Sequence, residues 1–203
     1  MRALLLLGLL ATMFASAQTC EAGLRAFDHE LLMSEPVCIP ENPERVLALD
    51  MASVEAALLT GKNLVGSSGW ILSELPLLEP RFAERLAGVT DMGYPADLET
   101  TLELRPDLIL AVGRGAAGES LDAARAGEIA PVVLADPRVY DDWQLGMEFW
   151  TAVLGAEGLY ERMLTNYEAR VGELRAALGE PGETAVSIVP VATGNVYMWM
   201  PDT

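Results

Sequence analysis

The chain is poor in the residues that carry most catalysis. Among 203 residues there is one histidine, His29, and two cysteines. A histidine without a second leaves no H-E-x-x-H zinc site, no G-x-S-x-G nucleophile elbow occurs, and neither cysteine has a plausible base beside it. Basic residues are also scarce: 13 against 30 acidic, a formal charge of −17. A surface of that sign repels phosphate backbones, which argues against a nucleic-acid binder, and it gives no attraction to anionic lipid. No internal repeat or low-complexity segment occurs. Carboxylates abound, but no pair stands at a spacing that suggests acid–base work, so they read first as a solvated face.

What the chain does have is core material, with 51% apolar residues, too many for a disordered acidic tail. Met1-Arg2 followed by an apolar stretch through Ala11, then Ala15-Ser16-Ala17, has the charged start, apolar centre and small-x-small end of a secretory signal. The apolar stretch falls short of the roughly 20 residues of a membrane span. Cleavage after Ala17 would leave about 185 residues, with 12 basic against 30 acidic and a charge of −18. Export to an oxidising compartment favours a Cys20–Cys38 disulfide over a two-cysteine metal site, which lacks a nearby second histidine.

Downstream of a proline-punctuated linker, Pro40 to Pro43, strand and helix alternate at short intervals. Arg45–Asp50 reads as a buried strand, Met51–Leu59 as a helix closed by Gly61, and Leu64–Trp70 as a glycine-weakened strand. Leu75–Leu86 reads as loop and short helix, Glu119–Ala126 as a short helix, and Pro131–Asp136 as another strand. This alternation argues for a parallel sheet covered on both faces. Two helices without an intervening strand come next. One, capped by Asp141 or Asp142, carries Trp143, Met147, Trp150 and Leu154 on its apolar face. The other, about Leu159 to Leu178, repeats Tyr160, Met163, Leu164, Tyr167, Val171, Leu174 and Leu178 at three or four. Finally, 185–192 reads as a strand, 193–195 as a turn and 196–200 as its hairpin partner.

The most informative stretch is Gly93-Tyr-Pro-Ala-Asp-Leu-Glu-Thr-Thr-Leu-Glu-Leu-Arg-Pro-Asp-Leu-Ile-Leu-Ala-Val112. Asp97 suits a helix N-cap, Leu98 and Leu102 fall on one helical face, and Arg105-Pro106 ends the helix. Leu108–Val112 is an apolar run of the kind buried in parallel sheets. This stretch resembles the substrate-binding proteins of ABC importers for ferric siderophores, haem and vitamin B12, in which G-x-x-N-L-E-x-I-x-x-L-x-P-D-L-I-I recurs. Asp97 replaces the pattern's Asn, and Thr101 its Ile.

The resemblance implies an α/β fold: a three-layer lobe on a short parallel sheet, a long interlobe helix, and the start of a second α/β lobe. The expected divisions are a signal peptide (1–17), a disulfide-linked arm (18–44), the first lobe (45–140), connecting helices (141–180) and the beginning of a truncated second lobe (181–203). It implies capture of a ferric siderophore in the periplasm by a monomer that uses no cofactor, and delivery to an ABC permease. Haem and cobalamin are the rival ligands. With half its cleft absent, such a form is expected to bind weakly or not at all. Trp70 and Arg114 follow predicted strands and Tyr94 opens the loop before Asp97; in a parallel sheet all three would approach one carboxyl edge, and Tyr197 and Trp199 lie two apart on the last hairpin. Aromatic walls and a guanidinium suit a bulky, partly anionic chelate. By resemblance Glu99 would dock into an arginine pocket of the permease; its partner in the family's second lobe has no counterpart here.

A second reading competes. Gly113-Arg114-Gly115-Ala116-Ala117-Gly118 satisfies G-x-G-x-x-G between a strand and a helix, and Asp136 stands where a ribose-binding acid belongs. Against a dinucleotide enzyme stand Glu119 and Asp122, which put negative charge where pyrophosphate would sit. The βαβ unit is also not the first of the fold, and the leader directs the chain away from cytoplasmic NAD.

Overall fold

The computed structural model describes residues 19–113 and 121–179, together with the backbone of 191–192 and 195–196. The chain divides into two units, one ending at Glu161 and one beginning at Arg162.

Five parallel strands form the centre of the first unit: β3 (Arg45–Ala48), β4 (Asn63–Ser67), β5 (Thr90–Asp91), β6 (Leu108–Val112) and β7 (Val132–Ala135), in the order β5-β4-β3-β6-β7. Every pairing is parallel. Chain progress therefore runs outward from β3 in one direction and then, from β6, in the other. The topological switch point lies between β3 and β6, where open α/β sheets place a ligand crevice. All five residues of β6 are buried, as expected of a strand covered on both faces.

Two sets of helices cover the sheet. Helix α1 (Met51–Leu59) packs against α7 (Trp143–Val153) on one face. On the other, Leu47, Leu49, Ile109 and Ala111 meet Ala96, Leu98, Leu121 and Ala126, which come from the surroundings of α4 (Leu98–Leu104) and α5 (Ala123–Ala126). Helix, sheet and helix make the three-layer α/β arrangement expected from the alternation. Helices α2 (Gly69–Leu78) and α3 (Ala83–Leu86), with a 3₁₀ turn at Pro80–Phe82 between them, lead from β4 to β5; α6 (Arg138–Asp141) precedes α7.

Local chemistry accounts for many boundaries. Asp50 caps α1, Asp97 caps α4 and Asp142 caps α7, each carboxylate accepting from a first-turn amide. Arg105, before Pro106, ends α4 in the left-handed region at φ 46°. Asp107 then accepts from the amides of Glu44 and Arg45 at 2.7 and 3.0 Å, tying the start of β3 to the start of β6. Arg45 returns hydrogen bonds to the carbonyls of Leu104 and Arg105.

Several elements differ from the sequence reading. The strand expected through Trp70 stops at Ser67, and α2 starts at Gly69 and includes Pro76 in its last turn, where the ring cannot supply the amide that would bond back to residue 72. Helix α4 turns Leu98, Thr101 and Leu104 inward, at a spacing of three, and leaves Leu102 60% exposed. In α7, Met147, Trp150 and Leu154 beside its end are buried as anticipated, but Trp143 is not, and the unanticipated Phe149 is fully enclosed.

The N-terminal arm is a folded hairpin. Strand β1 (Leu24–Phe27) pairs antiparallel with β2 (Val37–Pro40), and the Cys20–Cys38 disulfide ties the segment before β1 to β2. Phe27, Leu31 and Ile39 are buried. Arg25 donates to the carbonyls of Ala152 and Val153, satisfying the C-terminal end of α7. His29 packs edge-on against Phe149, and its Nδ1 accepts from the Leu31 amide. The connection of the hairpin continues along the outer edge of β7: Met33 N–H donates to Leu134 O at 2.8 Å, and Asp136 N–H to Leu31 O at 2.7 Å. The sheet edge that would otherwise template another strand is thereby covered on part of its length.

Helix α8 (Glu157–Leu178) begins at the end of the first unit and continues into the second. Its 22 residues reach about 33 Å, and none of them is buried. Beyond it, β8 (Val191–Ala192) pairs antiparallel with β9 (Asn195–Val196). The expected signal segment and the side chains of the final hairpin lie outside the described residues.

Candidate functional site

The carboxyl ends of β5, β4, β3 and β6 define the candidate site. At the end of β3, Asp50 and Ser53 form a closed buried unit: Asp50 Oδ1 accepts from Ser53 N at 3.0 Å and Oδ2 from Ser53 Oγ at 2.5 Å. The first βα turn, where a dinucleotide's pyrophosphate would sit in this topology, thus carries a carboxylate already committed to the helix amides. That turn contains no glycine.

Trp70 stands in the first turn of α2, just beyond β4, and is 46% exposed; Tyr94 stands just beyond β5 and is 61% exposed. Both side chains sit at the carboxyl edge, on neighbouring strands, and leave much of their ring area to solvent. Large apolar surface left open beside a crevice marks a binding surface more often than a core. Arg114, Tyr197 and Trp199 lie outside the described residues, as do 115–118 of the glycine motif.

Gly113, the first glycine of that motif, is described. A Cβ built on it would lie 2.5 Å from Met33 Sδ and 3.5 Å from Leu134 Cδ2. What demands glycine there is the thioether of the N-terminal arm. Met33 is 48% exposed at the end of β6, on the same carboxyl edge as Trp70. Sequence reasoning missed it, because nothing near Met33 in the chain predicts that the arm runs beside β7.

Glu99 is exposed in the first turn of α4, on the wall of a hollow of about 480 Å³ that Asp97, Asp122 and Arg125 also line. The Thr100 hydroxyl, and then the Thr100 amide, hold the Asp97 carboxyl below the usual carboxylate range. Asp136, past the end of β7, is likewise lowered, chiefly by the Arg138 amide. Among the described residues no cluster of three or more histidine, cysteine, aspartate or glutamate side chains is arranged to hold a metal ion.

An open parallel sheet with this strand order, covered on both faces and followed by a long helix, is the fold of a FhuD fold-family periplasmic binding protein from Bacillus subtilis, which superposes with a TM-score of 0.60 at 21% identity over 79% of this chain and 56% of that one. The curated relatives it matches over about 80% of its length are named as siderophore- or iron(3+)-hydroxamate-binding proteins, and the Bacillus subtilis structure is described as a component of a ferrichrome ABC transporter. No protein-family model matches the sequence. The probable siderophore-binding lipoprotein YfiY of Bacillus subtilis is 26% identical over 169 residues, covering 81% of this chain and 50% of the relative. Staphylococcus aureus SirA, solved with staphyloferrin B, superposes with a TM-score of 0.63 at 22% identity, over 81% of this chain and 55% of that one. The siderophore-binding protein FhuD of Vibrio cholerae, solved with Fe3+–Desferal, gives 0.59 at 27% identity, over 77% and 60%. The chain therefore spans about half the length of YfiY. The homologues are binding proteins of transporters.

Proposed function

We propose that this chain binds a ferric siderophore at the carboxyl edge of its parallel sheet, outside the cytoplasm after loss of the leader, for delivery to an ABC permease. Capture is non-covalent and requires no catalytic group. The observation that carries the reading is the exposure of Trp70 and Tyr94 on adjacent strand ends beside the β3/β6 switch point, in a fold whose relatives bind siderophores. Ring faces supply contact area to a chelate, and the Arg114 guanidinium supplies charge complementarity to its anionic groups. Tyr197 and Trp199 would add an opposing aromatic wall.

Titration of intrinsic fluorescence tests this. Fe3+–Desferal is expected to bind weakly but to quench saturably at high concentration, W70F to lose most of that quench, and NAD to leave the signal unchanged. Absence of saturation with the ferric chelate, or saturable NAD binding that G115V weakens, overturns the reading.

For docking, Glu99 is the proposed contact with the permease. Its carboxylate stands on the open rim of the α4–α5 hollow, where an arginine of a partner could reach it. An acid in the first turn also gains from the helix dipole, roughly 0.3–1 kcal/mol. E99A should therefore reduce uptake while leaving chelate affinity unaltered; equal uptake rejects the assignment.

A further inference from the structure

We infer that Met33 contacts the ligand: its thioether and the Trp70 indole flank the switch point and hold between them the apolar linker chains of a hydroxamate-type iron chelate. This rests on the capture role proposed above for the carboxyl edge.

The placement of Met33 follows from backbone pairing. The hydrogen bonds Met33 N–H to Leu134 O and Asp136 N–H to Leu31 O lock the arm to β7 on either side of Leu32, which itself bridges antiparallel to Ala135. From that anchor the side chain reaches over β7 and ends on Gly113, at the carboxyl end of β6. Strands β4, β3 and β6 are consecutive neighbours, so the end of β6 and the end of β4 stand about 10 Å apart, twice the interstrand spacing. A single chelate fits that separation, with the buried Asp50–Ser53 pair beneath it.

Exposure and chemistry narrow the role. Leu31, two residues earlier, is fully buried, whereas Met33 keeps about half its surface open at the same edge as Trp70 and Tyr94. A methionine that served only to cover Gly113 and Leu134 would gain by turning that surface inward. Its three rotatable bonds and polarizable sulfur suit irregular apolar ligands. Thioether is a soft donor and ferric iron takes hard oxygen ligands, so the sulfur touches methylene linkers and leaves the metal sphere alone. The N-terminal arm, tied by Cys20–Cys38, thereby becomes part of the binding edge.

The test uses the whole chain with Fe3+–Desferal as probe. M33A is expected to weaken binding about fivefold or more through lost apolar contact. M33L, which conserves volume, should stay within about twofold of the parent. Urea midpoints recorded in parallel report whether either variant is folded. Independently, saturating chelate should slow peroxide oxidation of Met33 to its sulfoxide several-fold, followed by mass spectrometry on the unmutated protein. If the parent protein does not bind Fe3+–Desferal, the capture reading falls and this inference with it. If the parent binds while M33A binds equally and the chelate leaves the oxidation rate unaltered, capture stands and the Met33 role alone is overturned.

Discussion

Glu55 shows how far a single carboxyl can depart from its neighbours. It lies partly buried on α1, and burial raises its pKa first, with repulsion from Glu79 next; the Arg81 guanidinium offsets only part of this. Arg81 is itself engaged with Glu79 at 3.0 Å. A carboxyl raised in the folded state binds protons more tightly there than in the unfolded chain, so folding becomes less favourable as pH rises through the carboxylate range. The penalty is complete above the folded pKa and absent below the unfolded one. E55Q is therefore expected to raise the urea midpoint at pH 7, and the gain should shrink as pH falls through the carboxylate range and be lost below the unfolded glutamate value. Asp97 and Asp136 carry the opposite sign: their hydrogen bonds stabilise the ionised form, and that contribution is lost as pH falls through their lowered folded pKa values. The residue scale is also where the sequence was most readable. Asp97 caps α4 as expected and Asp142, one of two candidates, caps α7, because capping is a contact within one turn.

Among elements, the contact between α6 and α7 tests propensity against packing. Gly146 sits within α7, where alanine would ordinarily stabilise by roughly 1 kcal/mol. A Cβ there would lie 2.5 Å from the Val139 carbonyl oxygen of α6. Backbone cannot swing aside as a side-chain tip can. G146A is thus expected to destabilise by about 1–3 kcal/mol, the cost of overpacking, read as a lower urea midpoint with an unchanged slope. A stabilised variant would show that the two helices separate readily. Elements were legible where a pattern was sustained, as in the helices α1 and α8 and the unbroken apolar run of β6. They were misread where a short segment took its conformation from neighbours: α2 in place of a strand end, and β5, whose two residues pair with β4 and carry no periodic signal. The hairpin β1–β2 escaped for the same reason, since its pairing joins residues on either side of an intervening loop.

For the whole molecule, a formal charge of −17 acts on every step of folding and association. Self-repulsion of that size destabilises a compact state, and salt screens it over a Debye length of about 10 Å at 0.1 M. The melting temperature is expected to rise by several degrees between about 10 and 500 mM NaCl, with most of the rise below physiological ionic strength. A flat response would mean that the acidic residues are spaced too widely to repel. The same charge makes the arrangement of the carboxyl edge informative. In a chain so short of cations, the predicted edge pairs rings with a single guanidinium, and the described part of it exposes an indole, a phenol and a thioether. Such a surface gains from apolar area more than from charge.

The α/β class, the parallel sheet and the caps of its helices were written in the order of residues, because alternation and capping depend on neighbours within a few positions. The run from Gly93 to Val112 likewise carried the resemblance to siderophore-binding proteins. Tertiary structure alone decided that β6 turns back to lie beside β3, creating the switch point, and that the N-terminal arm runs along β7 to set Met33 against Gly113. Those contacts join residues far apart in the chain, and their register depends on how whole faces close upon one another, which no local pattern encodes.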